Sequence, residues 1–182
     1  MSTTTAKKTT WAIDPVHTTI EFAVKHMMVT TVRGRFGEVS GTIELDEEDP
    51  TRSSAEVTIP VASIDTREEQ RDAHLRSADF FDAENHPNMT FRTKSIERTG
   101  DDEYRVTGDL TIRGVTREVV LDTRFEGRAK KPTGEEVIGL TATTSIDRED
   151  FGLKWNVALE AGGWLVGKEV RITLDVQAIR GG

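Results

Sequence analysis

Ser63-Ile64-Asp65-Thr66-Arg67-Glu68-Glu69-Gln70-Arg71-Asp72-Ala73-His74-Leu75-Arg76-Ser77-Ala78-Asp79-Phe80-Phe81-Asp82 is the stretch on which the reading of the fold turns. It is the one passage with helical character in a chain that otherwise reads as strand after strand. A strand-like run from Ala55 to Ile64 leads straight into it, and two adjacent phenylalanines follow it. Thr66 with Glu69 three residues later fits a capping box, in which the hydroxyl accepts from the third helical amide and the glutamate reaches back. Glu68 and Glu69 suit the positive end of the helix dipole. Arg71 and Leu75 share one face, Gln70 and His74 another. The spacing predicts a short helix over about 67–77. Its apolar stripe is thin, so it is expected across an opening at one end of a sandwich or barrel, not inside a core.

Outward from this segment, period-two alternation dominates. Ile20, Phe22 and Val24 alternate with polar or small neighbours, as do Val57, Ile59 and Val61. The same holds for Val106, Gly108, Leu110 and Ile112, for Val119, Leu121 and Phe125, and for Val170, Ile172, Leu174 and Val176. One apolar and one polar face per strand is the pattern of antiparallel sheets wetted on one side. Turn residues recur at short intervals, at Asp49-Pro50, Thr99-Gly100-Asp101, Arg113-Gly114, Lys131-Pro132-Thr133-Gly134 and Gly162-Gly163. A meander of hairpins closing into a barrel or sandwich follows. Arg33-Gly34-Arg35-Phe36-Gly37 reads as a strand bend. At 182 residues the chain fits one domain, expected over residues 11–182, with residues 1–10, polar and threonine-rich, as a flexible tail.

Composition excludes several functions. A formal net charge of −8 opposes nucleic-acid binding, which needs a cationic face. No basic run exceeds Lys7-Lys8 or Lys130-Lys131, and no apolar run approaches the ~18 residues of a membrane helix, so stable membrane insertion is not expected. The chain has no cysteine, which removes disulfides, thiolate catalysis and cysteine-ligated metal and agrees with a reducing compartment. The N-terminal residues show no apolar signal-peptide core. The expected location is the cytoplasm.

Catalytic and metal motifs are sparse. The four histidines, His17, His26, His74 and His86, show no metal-ligand spacing, and there is no G-x-S-x-G elbow or phosphate-cradling glycine loop. No metal, cofactor or catalytic residue is therefore assigned. The inner face is more informative, because a barrel of about eight strands can be wide enough for one small ligand.

Several blocks, in order, resemble the YceI-like proteins, a lipocalin-like group of bacterial polyisoprenoid-binding proteins. They are Asp14-Pro15-Val16-His17-Thr18, Phe22-Ala23-Val24-Lys25-His26, Val32-Arg33-Gly34-Arg35-Phe36 and the segment Ser63 to Asp82. Gly108 to Thr116, Arg148-Glu149-Asp150-Phe151-Gly152 and Gly162-Gly163 complete the match, which runs from about Trp11 to Ile179. The resemblance implies an all-β fold, an eight-stranded antiparallel lipocalin-like barrel with the short helix near its mouth and a long apolar cavity. It implies an isoprenoid or similar lipid as the ligand, a polyprenyl chain, quinone or polyprenyl phosphate, and a homodimer. Many members carry a secretory signal; here a cytoplasmic carrier or store is expected. The residues expected to grip the lipid tail are Ile20, Phe22, Val24, Phe36, Val57 and Ile59 from the first half of the barrel. Phe91, Leu110, Leu121, Phe125, Trp155 and Ile172 join them from the second. An anionic head group needs cations at the mouth, for which Arg71, His74 and Arg76 on the helix, with His17 and His26 flanking the first strand, are the expected partners. Two alternatives stay open: an enzyme acting on a lipid with His17, His26 or His74 as general base, and a packed structural barrel without ligand.

Overall fold

The alternating runs form eleven antiparallel strands in the computed structural model, which describes residues 8–181. They are β1 (Lys8–Ile13), β2 (Thr19–His26), β3 (Thr30–Phe36), β4 (Ser40–Asp46), β5 (Ser54–Pro60) and β6 (Ile64–Asp65), then β7 (Asn88–Arg98), β8 (Glu103–Ile112), β9 (Val115–Lys130), β10 (Glu136–Asp147) and β11 (Val166–Arg180). One helix, α1 (Glu69–Arg76), lies between β6 and β7. The ring β1-β4-β5-β7-β8-β9-β10-β11 closes on itself as an eight-stranded barrel, because β11 pairs with β1 at Trp11↔Arg180 as well as with β10. Closure removes the free edges that an open sheet would expose.

β11 is long enough to pair twice. Its C-terminal end meets β1, and its earlier residues meet β2 at Ile172↔Phe22. β1 and β2 thus share one stave, interrupted by a 3-10 turn at Pro15–His17 that Asp14 caps through Val16 N at 3.0 Å. The strand β1 starts at Lys8, so residues 8–10 of the expected tail are paired strand; residues 1–7 lie outside the described residues.

The lead-in to the helix differs from the sequence expectation. In place of one strand from Ala55 to Ile64, β5 stops at Pro60, a 3-10 turn covers Val61–Ser63, and β6 is two residues long. The capping box does not form either. Asp72, buried in the helix, accepts hydrogen bonds from both the amide (2.9 Å) and the hydroxyl of Thr66. With Thr66 claimed, Glu68 becomes the N-cap, its carboxylate accepting from Gln70 N and Arg71 N. Gly34 marks no bend: β3 runs through it unbroken, and any Cβ there would collide with the ring of Phe22, which lies on it from the paired strand. Gly108 makes the same kind of seat for Phe91.

The two ends of the barrel are closed differently. At the end where β1 starts and β11 finishes, Trp11, Ile138 and Ala178 are fully buried beside the buried Ile13 and Ile43, forming a packed floor. Arg128 lies over the Trp11 ring, 5.2 Å from its centroid, and is ion-paired to Glu47 (2.8 Å) and Glu136. At the other end stand the β2–β3 turn, the start of β11 and the end of β10. Here the cover is α1, the chain from Ser77 to Pro87, and the irregular segment from Arg148 to Leu165.

Candidate functional site

Between floor and cover the barrel encloses a cavity of about 260 Å³ with an apolar lining. That is far more than the ~10–15 Å³ one water needs by a comparable measure. The space exists because inward positions alternate phenylalanines with valines, alanines and threonines, and because Phe22 and Phe91 lie against the wall on glycines. Ten of the twelve residues expected to contact a lipid tail line it: Ile20, Phe22, Val24, Phe36, Val57, Ile59, Phe91, Leu110, Leu121 and Ile172. Phe125 does not; it sits opposite Leu140 beside a bulge in the β9–β10 pairing and packs into the core. Trp155 does not either. It follows the Arg148–Phe151 turn and packs edge-on against His74, at 4.6 Å between ring centroids, and against Phe80.

The lining also includes residues outside the expected set. Val106, Ile112, Val119, Val170, Leu174 and Val176 follow the same alternation and were legible from it. Leu75, Phe80, Phe81, Phe151 and Leu153 come from the helix and the irregular segments, where no period marks the inward side. The only local hint was the adjacency of Phe80 and Phe81.

None of the five expected head-group residues lines the cavity. Leu75 is the side chain that α1 sends to the lining, Asp72 is buried in the cap, and Arg71, His74 and Arg76 are half-buried away from the lining. Arg71 is used within the cap, with Nε donating to Thr66 Oγ1 at 2.8 Å and Nη2 to the Thr66 carbonyl at 2.6 Å. His74 Nε2 lies 2.9 Å from Asp79 Oδ2, its ring against Trp155 and Phe80. Arg76 is half-buried. His17 sits exposed on the 3-10 turn with Nδ1 2.7 Å from Asp14 Oδ2, and that hydrogen bond holds the Asp14 carboxyl below its ordinary range against the opposing effect of burial. His26 ends β2, paired with Thr30 and Val166. No histidine lines the cavity. Among the described residues, no three His, Asp or Glu side chains gather as metal ligands.

The cation that does border the cavity is Arg148, which is only 4% exposed. Its Nε donates to the Gly167 carbonyl at 2.7 Å, Nη1 to Leu153 and Nη2 to Val166 at 3.3 Å. Burial pulls the guanidinium below its ordinary pKa, with Glu149 and Asp147 acting in the opposite direction. Arg148 ties the 148–153 turn to the start of β11 and stands over the Phe80 ring at 5.9 Å. Arg113 Nη1 donates to the Phe80 carbonyl at 2.9 Å, so the inward phenylalanine of the cover is held from two sides. The arrangement can enclose an apolar chain and exclude water from it.

Comparison with known proteins agrees with this geometry. The model of the YceI-like domain matches residues 11–178. The UPF0312 protein SA2479 of Staphylococcus aureus (strain N315) is 41% identical over 170 residues, covering 93% of this chain and 96% of that one. The crystal structure of Burkholderia cenocepacia BcnA superposes with a TM-score of 0.77 at 25% identity, covering 91% of this chain and 98% of the other. A polyisoprenoid binding domain from Saccharophagus degradans, implicated in plant cell wall breakdown, superposes with a TM-score of 0.67 over 94% of this chain and 98% of its own. At 14% identity that last likeness concerns the fold alone.

Proposed function

The chain belongs to the YceI-like domain family, and from that premise we propose that it is a non-enzymatic carrier or store of an isoprenoid or similar long-chain lipid. The observation that carries this reading is the cavity, apolar along its lining, floored by packed side chains and covered by a helix and loops. Each methylene-sized unit moved from water into such a space contributes roughly 0.8 kcal/mol, so a long chain binds with little polar recognition. The name of the Saccharophagus degradans domain supports the same ligand class by analogy of fold. The tail lies along Phe22, Phe91, Leu110 and Leu121. The polar end lies under the α1 cover, where Arg148 is the cation beside the lining and Arg71, His74 and Arg76 stand half-buried away from it. The family resemblance extends the reading to a homodimer, and the cysteine-free composition suits work in the cytoplasm.

Organic extraction and native mass spectrometry of protein isolated from its own host should find a co-purifying long-chain lipid. Added polyprenyl compound should change the tryptophan fluorescence of the stripped protein. Phe22→Asp and Leu121→Arg should each abolish uptake, since an unpaired charge on that lining is costly. Folded variants that still take up lipid, or wild-type protein that neither carries nor accepts any, would sink the proposal.

A further inference from the structure

Five large apolar side chains are exposed together at the helix-covered end. The β2–β3 turn presents Met27, Met28 (68% exposed) and Val29 (78%), and the segment before β11 presents Val157 and Trp164 (52%). The two loops are knit to each other: Met27 N donates to the Leu165 carbonyl at 2.8 Å, and Leu165 N to the Val157 carbonyl at 2.9 Å. Met28 rests on Gly163. Met27 and Met28 both hold left-handed backbone, at φ 52° and 62°, where glycine or asparagine is the ordinary choice. Strain of that kind persists where a site needs the side chains it presents.

Charge is distributed to match. On the outer face behind the turn, a cleft of about 350 Å³ is lined by Lys25, Arg33 and Arg171, with Glu169, Thr31, Ala23 and Val24. None of its three cations is in an ion pair among the described residues, although the chain as a whole is acidic. Arg33 and Arg171 both pair in register with Ala23, so they flank it on either side, ~10 Å apart across β2, two residues behind Lys25. Lys25 is in turn two residues behind Met27, which at a strand rise of about 3.3 Å per residue is ~7 Å, comparable to the ~5–10 Å by which interfacial segments enter a bilayer surface.

We propose that this end is a membrane-docking tip. Val29, Met28, Val157 and Trp164 enter the interfacial zone of an anionic phospholipid bilayer, while Lys25, Arg33 and Arg171 gather lipid phosphates behind them. Tryptophan and aliphatic residues ahead of basic ones are the pattern of reversible peripheral binding. A projecting pair of loops is a poor fit to the ~800 Å² per partner of a stable protein interface. The tip borders the end where Val24, Val166 and Leu153 line the cavity, so docking places the covered mouth against the medium from which a lipid cargo comes. The purpose rests on the carrier reading; the geometry does not.

The test is co-sedimentation of the full chain with vesicles of equimolar phosphatidylglycerol and phosphatidylcholine, at low and high salt. Wild type should bind, and binding should weaken with salt. Val29→Asp with Trp164→Ser, both exposed and so compatible with folding, should weaken it roughly tenfold or more. Lys25→Glu with Arg171→Glu should lose the preference for phosphatidylglycerol over pure phosphatidylcholine. Wild type that ignores vesicles overturns the proposal. So does an apolar variant that binds unchanged, or one that merely turns a wild-type dimer into a monomer with vesicle binding intact, which would mark a contact between copies. Extraction of the same samples keeps the two readings apart: lipid retained with vesicle binding lost supports the tip, whereas lipid-free protein that still docks overturns only the carrier.

Discussion

The two ends of this barrel use the same strands for opposite purposes. The floor is regular sheet, with Trp11, Ile138 and Ala178 fully buried and the outer rim tied by Arg128 to Glu47 and Glu136 and by Arg180 to Glu136. The covered end is an eight-residue helix and two irregular segments, held by a few specific bonds at Asp72, Arg113 and Arg148. The continuous ladder thus lies in a part that has nothing to admit. The part that opens under the proposed carrier reading depends on contacts that can break locally. Phe80, Phe151 and Leu153 of the cover are buried, but irregular segments outside a strand ladder open locally at lower free energy than paired core strands.

The sharpest way to break this comparison is at Trp11. Trp11→Ala should cost about 3–5 kcal/mol, as for other buried aromatic truncations, and urea unfolding should show the whole barrel destabilised. A small loss there would mean that the floor is not the stabilising end. Arg148→Met should cost roughly 1.5–3 kcal/mol, the range for hydrogen bonds to a charged group. Its signature is faster hydrogen exchange at Leu153, Val166 and Gly167 while β1 stays protected; equal changes at both ends would erase the distinction. Asp72→Ala leaves the amide and hydroxyl donors of buried Thr66 unpaired and should cost about 1–2 kcal/mol, with exchange rising in α1 only.

Acid should produce the smallest effect, and on the floor. For Glu136 the hydrogen bond from Arg128 holds the carboxyl below its ordinary range, against burial. For Glu47 burial pushes up but is outweighed by hydrogen bonds from Arg128 and Thr9. Carboxylates depressed in this way stabilise the fold above their unfolded pKa of about 4.3 and lose that contribution as pH falls through the lower folded values. The urea midpoint should therefore decline in that window, and Arg128→Met should flatten the decline. An unchanged slope in the variant would remove the rim from the account.

The cavity wall was more legible in the sequence than its cover. Ile20, Phe22, Leu110, Leu121 and Ile172 alternate with polar neighbours, and a pleated strand must send such residues to one side. Phe80, Phe151 and Leu153 have no period around them, so nothing local told which way they face. The helix was legible as a helix, while its cap was not. Thr66-x-x-Glu69 matches a capping box, yet Asp72 reaches back to Thr66 and leaves Glu68 at the end. Arg71 and His74 looked available for a head group, but Thr66 and Asp79 already hold them.

What the sequence determined by itself was the antiparallel strand set, its apolar face, the position of one short polar helix and, through ordered blocks of residues, the family. What only the tertiary structure decided was closure through the double pairing of β11, the packed floor under Trp11, Arg148 beside the lining and the exposed apolar tip. The division has a physical cause. Alternation and helix spacing are set by neighbours within a few residues, whereas closure, burial of a charge and exposure of a loop depend on segments that meet only after the chain has folded.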